Sequence, residues 1–115
     1  MPEKLTPKHF TLDIEVRDNM TIVRCHGHLV SGLTDVLYSK IRPMIPVTKR
    51  IVLDLCDVQF MDSMGLGTLV SLYTSAQASG CQLQLLKIGQ RVRELLGLTH
   101  LLDVFSIIGE HGVRL

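Results

Sequence analysis

The sequence of 115 residues contains no tryptophan, and aromatic residues make up only 4% of it. Proteins that bind single-stranded nucleic acid usually stack bases on aromatic side chains, so this scarcity argues against that role. An excess of charge of either sign is also lacking, because 12 Lys and Arg residues stand against 11 Asp and Glu residues. We therefore expect neither direct nucleic-acid binding nor a surface for anionic membranes.

Long apolar segments are missing as well. No uninterrupted stretch approaches the roughly 20 apolar residues that cross a bilayer. The polar start of the chain, MPEKLTPKHF, lacks the apolar segment of a secretion signal. These absences predict a cytoplasmic protein without a membrane partner.

Metal-binding patterns are sparse too. The three cysteines, Cys25, Cys56 and Cys81, lie far apart in strand-like runs and form no CxxC pair, so we expect three reduced thiols in the core. His26 and His28 share a face only if their strand extends that far, and two imidazoles at a strand end are more often solvated or packed than metal-bound. The sequence therefore predicts neither a metal site nor a cofactor.

What the chain does contain is enough apolar side chain for one core. Hydrophobic residues make up 46% of the sequence and charged residues 20%, which is typical of a folded domain. No linker or internal repeat interrupts the chain. We expect a single domain over residues 1–115, ordered from residue 9 to about residue 109, with a weakly ordered tail.

The first two predicted strands form a hairpin. Residues 10–17 alternate apolar and polar side chains, residues 20–26 form a second strand, and Asp18-Asn19 provides the turn between them. Gly27 is expected to end the second strand, and Ser31-Gly32 is expected to cap the helix that follows.

Helices and strands alternate through the rest of the chain. Apolar residues at helical spacing predict a first helix that starts near Leu33 and stops at Pro43 and Pro46. A second helix is expected from Ser63 to Ala78, with Gly80 as its C-terminal stop. The other predicted segments are strands at 51–55, 81–88 and 105–108, a short helix at 91–96 and a further helical turn at 99–104.

The resulting order of elements is ββαβαβαβ. Strands separated by helices require crossover connections and a mostly parallel sheet, to which the hairpin adds an antiparallel edge. The sequence thus predicts an α/β fold, with a mixed, mostly parallel sheet, an N-terminal hairpin and helices packed against the sheet.

The most informative segment is the passage from the third strand into the second helix. An apolar strand at 51–55 leads towards Asp62, after which come Ser63 and the two glycines Gly65 and Gly67. This pattern is typical of a strand that turns tightly into a helix, with glycines close to the strand ends and Asp62 or Ser63 capping the free N–H groups. It places the Ser63 hydroxyl on the surface, at the start of the helix.

Catalytic and nucleotide-binding alternatives fit this segment less well. Gly65-Leu66-Gly67 lacks the third glycine of a dinucleotide loop, since Val70 stands at that position, and it lacks the Gly-Lys-Ser/Thr run of a phosphate loop. A hydrolase nucleophile elbow needs glycine where Met61 stands, and no histidine has a sequence context that pairs it with Ser63. We therefore expect a binding protein and not an enzyme.

Residues 51–68 resemble the STAS domain, the fold of bacterial anti-sigma factor antagonists. Asp62, Ser63 and the run Gly65-Leu66-Gly67 match the family's pattern of Asp-Ser, a second hydroxyl residue and Gly-Leu-Gly after an apolar strand. The likeness extends to Gly27-His28-Leu29, to Gly80 and to the closing stretch RVRELLGLTHLLDVFSI.

Two positions differ from the family's pattern. Met64 replaces the second hydroxyl residue of the motif, so Ser63 is the only phosphoacceptor there. His28 and Val30 stand where the family carries acidic residues, in a turn that lies near the phosphorylation site in the family's fold.

The resemblance implies a partner switch. The unmodified protein would bind an anti-sigma factor with serine kinase activity and free a sigma factor, and phosphorylation of Ser63 would release the protein. A serine phosphatase and a second copy of the chain are further candidate partners. The alternative is a constitutive interaction or ligand-sensing module in which Ser63 only caps the helix. The resemblance places the partner surface at Asp62, Ser63, Met64, Gly65, Leu66, His28 and Ser31, with Met61 adding apolar contact.

Overall fold

Five strands form one sheet in the order β1-β2-β3-β4-β5 in the computed structural model, which describes residues 9–101 and 105–108. β1 runs antiparallel to β2, whereas β2, β3, β4 and β5 pair in parallel. The predicted mixed, mostly parallel sheet with an N-terminal hairpin is therefore confirmed. The strands are β1 (Phe10–Arg17), β2 (Met20–Leu29), β3 (Arg50–Met61), β4 (Gln82–Leu86) and β5 (Ser106–Ile108).

The connections between the parallel strands are helical, and the predicted order ββαβαβαβ is confirmed. The helices of the described residues are α1 (Thr34–Ile41), a short 3-10 helix (Arg42–Val47), α2 (Ser63–Ser79) and α3 (Gln90–Leu98). Within the described part of the chain, none of these helices combines the length and the apolar character that crossing a membrane requires.

The core lies where the helices cover the sheet, and β3 runs through it. Ile51 and Leu53 of β3 are fully buried in one cluster with Leu69 of α2. Val52 is buried in a second cluster with Ile22 and Leu86 of the neighbouring strands. Because successive side chains of a strand point to opposite faces, β3 is buried on both faces, as its continuous apolar sequence predicts.

The cysteines divide between the core and the surface. Cys25 and Cys81 are buried, and burial raises the pKa of the Cys25 thiol to about 12. Cys56 is exposed, so the expectation of a core thiol is wrong at that position. Cys56 follows the buried Leu55, so the alternation of side chains along β3 turns it to the opposite face, and it begins the second half of the strand, where most residues are exposed.

Gly27 does not end β2, contrary to the expectation from sequence, because the strand continues to Leu29. The pairing of β2 with β3 shifts just before His26 and again just after Gly27. Gly27 has φ +108°, and a Cβ there would stand 2.1 Å from the carbonyl oxygen of His9. Glycine here permits a close backbone approach at an irregular point within a strand.

The first helix also differs from its prediction. Leu33 is the N-cap of α1 and makes no side-chain cap hydrogen bond, so Ser31-Gly32 does not cap the helix. Pro43 and Pro46 lie inside the 3-10 helix that follows α1. Proline lacks the N–H that the interior of an α-helix needs, whereas a short 3-10 segment of this kind accommodates it. The prolines therefore change the type of helix and do not end the helical path.

β3 is longer than predicted, since it runs from Arg50 to Met61 and not only from Ile51 to Leu55. Most residues of its second half are exposed, so the criterion of continuous apolar character misses them. Pairing with β2 carries the strand on, with Leu29 opposite Met61 at its end. As a result the strand ends directly before Asp62.

The second half of the chain follows the predicted pattern more closely. α2 begins at Ser63, and Gly80 forms its C-cap in the left-handed region at φ +73°. β4, α3 and β5 occupy the predicted positions with slightly different ends. Thr99 and His100 form a turn where a further helical turn is predicted, and residues 102–104 and 109–115 lie outside the described residues.

The first turn of α2 lies directly against the end of β2. A Cβ on Gly65 would stand 2.1 Å from the carbonyl oxygen of Leu29 and 2.9 Å from the Met61 side chain. A Cβ on Gly67 would meet nothing within 4 Å. The close packing expected of the two glycines is therefore found at Gly65 alone.

We expect Gly65→Ala to lower the free energy of unfolding by about 1–3 kcal/mol, because the added methyl group overlaps backbone atoms. Gly67→Ala is the matched control, since it adds the same methyl group to the same helix at an exposed position. It should raise stability by about 0.5–1 kcal/mol through its higher helix propensity. Urea denaturation followed by circular dichroism measures both variants, and equal effects would contradict the close contact of α2 with β2.

Candidate functional site

β3 passes into α2 without an intervening loop, and this junction presents Ser63. β3 ends at the buried Met61, Asp62 follows as an N-cap residue in extended conformation, and Ser63 is the first residue of the helix. Ser63 is exposed. The geometry thus agrees with a hydroxyl on the surface at a helix start, and its phosphorylation stays a prediction.

The carboxylate of Asp62 joins two segments that are far apart in the sequence. One of its oxygens, Oδ1, accepts a hydrogen bond from the backbone N–H of Gly65 at 2.9 Å. The other, Oδ2, accepts from the backbone N–H of Ser31 at 2.9 Å. The first bond caps α2, and the second fixes the loop between β2 and α1 to the same corner. Of the two candidate caps that the sequence offers, the structure uses Asp62.

These hydrogen bonds set the charge of the site. The N–H of Ser31, with a further contribution from the N–H of Gly65, lowers the pKa of Asp62 from its ordinary value despite an opposing effect of partial burial. Hydrogen bonds to a carboxylate favour its charged form. Asp62 therefore carries a full negative charge beside Ser63 at neutral pH.

The Ser63 hydroxyl makes no side-chain hydrogen bond within the described residues. It stands at the start of α2, where backbone N–H groups and the helix dipole favour negative charge. A serine nucleophile needs a base in contact with its hydroxyl, and the described part of the chain supplies none. The structure thus shows an exposed hydroxyl at a helix N-terminus, without a base in contact with it among the described residues.

The other predicted partner-binding residues divide between surface and interior. Met64 is 56% exposed and Ser31 is exposed, whereas His28 is partly buried at the end of β2. Gly65 is buried and Leu66 is only 8% exposed. These two residues, like Met61, therefore lie beneath the surface and not on it, because α2 turns them towards the core.

An open groove beside the β3–α2 junction has no signal in the sequence. It has a volume of about 270 Å³ and lies between the end of β3 and α3. Phe60 and Leu98 line it and are exposed, and the Arg91 guanidinium lies 5.8 Å from the centre of the Phe60 ring. The prediction missed these residues because it ended β3 at Leu55, which left Phe60 without a place in the sheet.

Metal binding finds no support in residues 9–101 and 105–108, which contain no group of three or more His, Cys, Asp or Glu side chains able to hold an ion. His26 and His28 do lie in one strand, but His26 is engaged with two aspartates. The chemistry that the junction offers is thus an ionised aspartate, an exposed hydroxyl and a helix N-terminus.

Known proteins resemble this chain over most of its length. The family model of the STAS domain matches residues 11–112. The anti-sigma-B factor antagonist of Bacillus subtilis (strain 168) is 28% identical over 108 residues, which cover 92% of this chain and 99% of that protein.

Two solved structures share the fold. An anti-sigma factor antagonist from Mycobacterium paratuberculosis superimposes with a TM-score of 0.80 at 23% identity, and the match covers 90% of this chain and 89% of that one. The Bacillus cell fate determinant SpoIIAA in its phosphorylated form gives a TM-score of 0.69 at 19% identity, with coverage of 88% and 94%. At these identities the likeness concerns the arrangement of strands and helices.

We expect Asp62 to stabilise the fold only while it is ionised. Because its pKa is lowered in the folded state, its contribution is present above the ordinary Asp pKa and is lost as the pH falls through the lowered value. Asp62→Ala should lower the free energy of unfolding by about 1–2 kcal/mol at neutral pH. Stability of this variant should also fall less steeply than that of the unmodified protein below about pH 5, as measured by urea denaturation at a series of pH values.

Asp62→Asn is the matched variant for this measurement. Its single amide oxygen can accept from the N–H of Gly65, but it cannot serve Ser31 as well and does not titrate. We expect a smaller loss of stability at neutral pH than for Asp62→Ala, together with the same weak response to acid. A response to acid as steep as that of the unmodified protein in both variants would contradict the role given to this carboxylate.

Proposed function

This chain belongs to the STAS domain family, and from that membership and the geometry of the β3–α2 junction we propose that it is an anti-sigma factor antagonist controlled by phosphorylation of Ser63. The observation that carries the proposal is the exposed Ser63 hydroxyl, which follows the ionised Asp62 at the start of α2. The relative from Bacillus subtilis is named as an antagonist of this kind, and SpoIIAA is known in a phosphorylated form.

The effect of a phosphate at Ser63 follows from its surroundings. The group adds a charge of roughly −1.5 to −2 at neutral pH. The N-terminus of α2 favours an anion, so the fold should accept the phosphate. A partner surface packed against the junction would instead meet a new, desolvated charge beside Asp62. Phosphorylation therefore weakens binding without unfolding the protein.

The partner in this proposal is an anti-sigma factor with serine kinase activity. It binds the unmodified protein, releases its sigma factor, and then transfers the γ-phosphoryl group of ATP to the Ser63 oxygen. The new bond joins this oxygen to the γ-phosphorus, the bond from the γ-phosphorus to the bridging oxygen of ATP breaks, ADP leaves, and the hydroxyl proton is lost. A serine phosphatase would restore the binding form by hydrolysis. The chain itself acts as a binding protein in the cytoplasm and not as an enzyme.

The surface offered to this partner is smaller than the sequence suggests. Ser63 and Met64 supply exposed side chains from α2, and Ser31 supplies the facing loop. Gly65 lets α2 lie close to the end of β2, and Leu66 is buried in the core beneath the junction. The polarizable side chain of Met64 suits an adaptable apolar contact.

The constitutive module, in which Ser63 only caps α2, has less support. Asp62 already caps the helix, and the Ser63 hydroxyl makes no side-chain hydrogen bond within the described residues. A serine kept for stability alone would be expected to make such a contact. An exposed hydroxyl without such a hydrogen bond fits a regulated position better.

We expect incubation with the cognate anti-sigma factor and ATP to add one phosphate to the peptide that contains Ser63, as detected by mass spectrometry. Ser63→Ala should remove this phosphate and keep binding to the anti-sigma factor. Ser63→Glu should weaken binding at least about tenfold, because it adds a permanent charge next to Asp62 at the contact surface. Titration calorimetry with the anti-sigma factor measures the affinities.

Ser71→Glu is the matched control, because Ser71 is an exposed serine of the same helix two turns further on. It should leave the affinity within about twofold of the unmodified protein, since an exposed charge away from the contact surface contributes little. Binding that is equal for Ser63→Glu and the unmodified protein, with no phosphate on Ser63, would reject the proposal.

A further inference from the structure

His26 links three neighbouring strands through its imidazole ring. Its Nδ1 atom lies 2.7 Å from Oδ2 of Asp57 on β3, and its Nε2 atom lies 2.8 Å from Oδ2 of Asp13 on β1. His26 itself belongs to β2, so the two contacts reach across the sheet in both directions. No other imidazole of the described residues bridges two carboxylates in this way.

The geometry favours the protonated form of the ring. A neutral imidazole carries a hydrogen on one nitrogen only and can donate one hydrogen bond, whereas a carboxylate oxygen can only accept. Both nitrogens of His26 stand at hydrogen-bond distance from carboxylate oxygens, so the ring satisfies both contacts as a cation. Consistent with this, the contact with Asp57 and then that with Asp13 raise the pKa of His26 above its ordinary value.

The charged groups around the His26 ring also favour its protonated form. Asp13 faces it from β1 and Asp57 from β3, while Arg24, two residues earlier in β2, is paired with Glu15 at 3.0 Å. His26 lines an open pocket of about 240 Å³, and His9 and His28 line it as well. On β3, Asp54 stands in register with Arg24 of β2. The two nearest groups are both acidic, so a positive ring is favoured there.

The pairing of β2 with β3 is irregular at this point, whereas β1 pairs with β2 without a break from Phe10 to Arg17. The register between β2 and β3 shifts on each side of the His26–Gly27 step. β1 pairs only with β2 within the described residues, so it is an edge strand. Before β1, the carbonyl of His9 accepts a hydrogen bond from the N–H of His28 at 3.0 Å. An edge strand next to an irregular ladder is the part of a sheet that opens most readily.

We propose that His26 is a pH-sensitive clamp, which as a cation fastens the first half of β1 and the irregular part of β2 to β3, and which releases one of these two contacts when it loses its proton. The neutral ring keeps at most one of its two donors. The part of the sheet released in this way includes His9, just before β1, and extends to His28, near the end of β2. The loop that follows β2 is the one that Asp62 holds. The clamp thus gives this end of the sheet a stability that depends on pH.

The direction of the pH effect follows from the raised pKa. The stabilisation is fully present below the ordinary histidine pKa and is lost as the pH rises through the raised value. Both aspartates are exposed, by 73% for Asp13 and 55% for Asp57, so each contact is worth the modest amount of a surface ion pair. Local opening of β1, and not unfolding of the whole protein, is the expected response.

Two measurements on the complete protein test this proposal. Nuclear magnetic resonance of the imidazole signals should show His26 titrating above the ordinary histidine value, and Asp13→Asn and Asp57→Asn should each shift that titration to lower pH. Amide hydrogen exchange should show protection of residues 11–14 and 23–26, corrected for intrinsic rates, falling about threefold to fivefold between about pH 5.5 and about pH 8.5.

His26→Gln should abolish most of this pH dependence, leaving a change below about twofold, because glutamine does not titrate and can still donate one hydrogen bond. His100→Asn is the control, since His100 is an exposed histidine outside the cluster, and it should keep the full effect. A titration of His26 at or below the ordinary value would overturn the proposal. So would the same loss of protection in His26→Gln as in the unmodified protein.

Discussion

Two hydrogen bonds to a single carboxylate hold the candidate site in place. Asp62 accepts one from Gly65 in the first turn of α2 and one from Ser31, which is 31 residues away in the sequence. Without this carboxylate the helix would begin with an unsatisfied N–H group, and the loop after β2 would lose its attachment to the junction. The missing side chain at Gly65 is the matching requirement, since it lets the helix come close enough for both bonds. The position of Ser63 follows from these local contacts.

Most of the fold could be predicted from the sequence, because its elements are marked by local patterns. The hairpin turn at Asp18, the cap at Gly80 and the apolar run of β3 each have a local signal, and the structure contains each of them. The errors occur where long-range pairing outweighs a local rule. Gly27 looks like a strand end but lies in a strand that its neighbours continue, and the second half of β3 is strand because β2 pairs with it. Neither partner is visible in a local window of sequence.

The sequence predicts which residues begin the helix at the candidate site, but not the contacts between distant segments that surround them. The pattern of Asp62 and Ser63 places both residues correctly at a helix start, because capping is a local property. The same pattern does not show that Leu66 faces inward, that Ser31 shares the carboxylate of Asp62, or that Phe60 opens onto a groove. These facts depend on how α2 lies on the sheet and on where α3 packs, and both are set by contacts between distant segments.

The outer edge of β1 has a consequence for the behaviour of the protein at high concentration. A strand edge with free N–H and C=O groups invites other chains to add to the sheet and grow a ribbon. The exposed Ile14 and Val16 would favour such growth, but Asp13, Glu15 and Arg17 alternate with them along the strand. A second molecule aligned antiparallel about Ile14 would bring Asp13 opposite Glu15 twice, and like charges in direct opposition repel. The charged side chains of the edge strand thus disfavour self-association into aggregates.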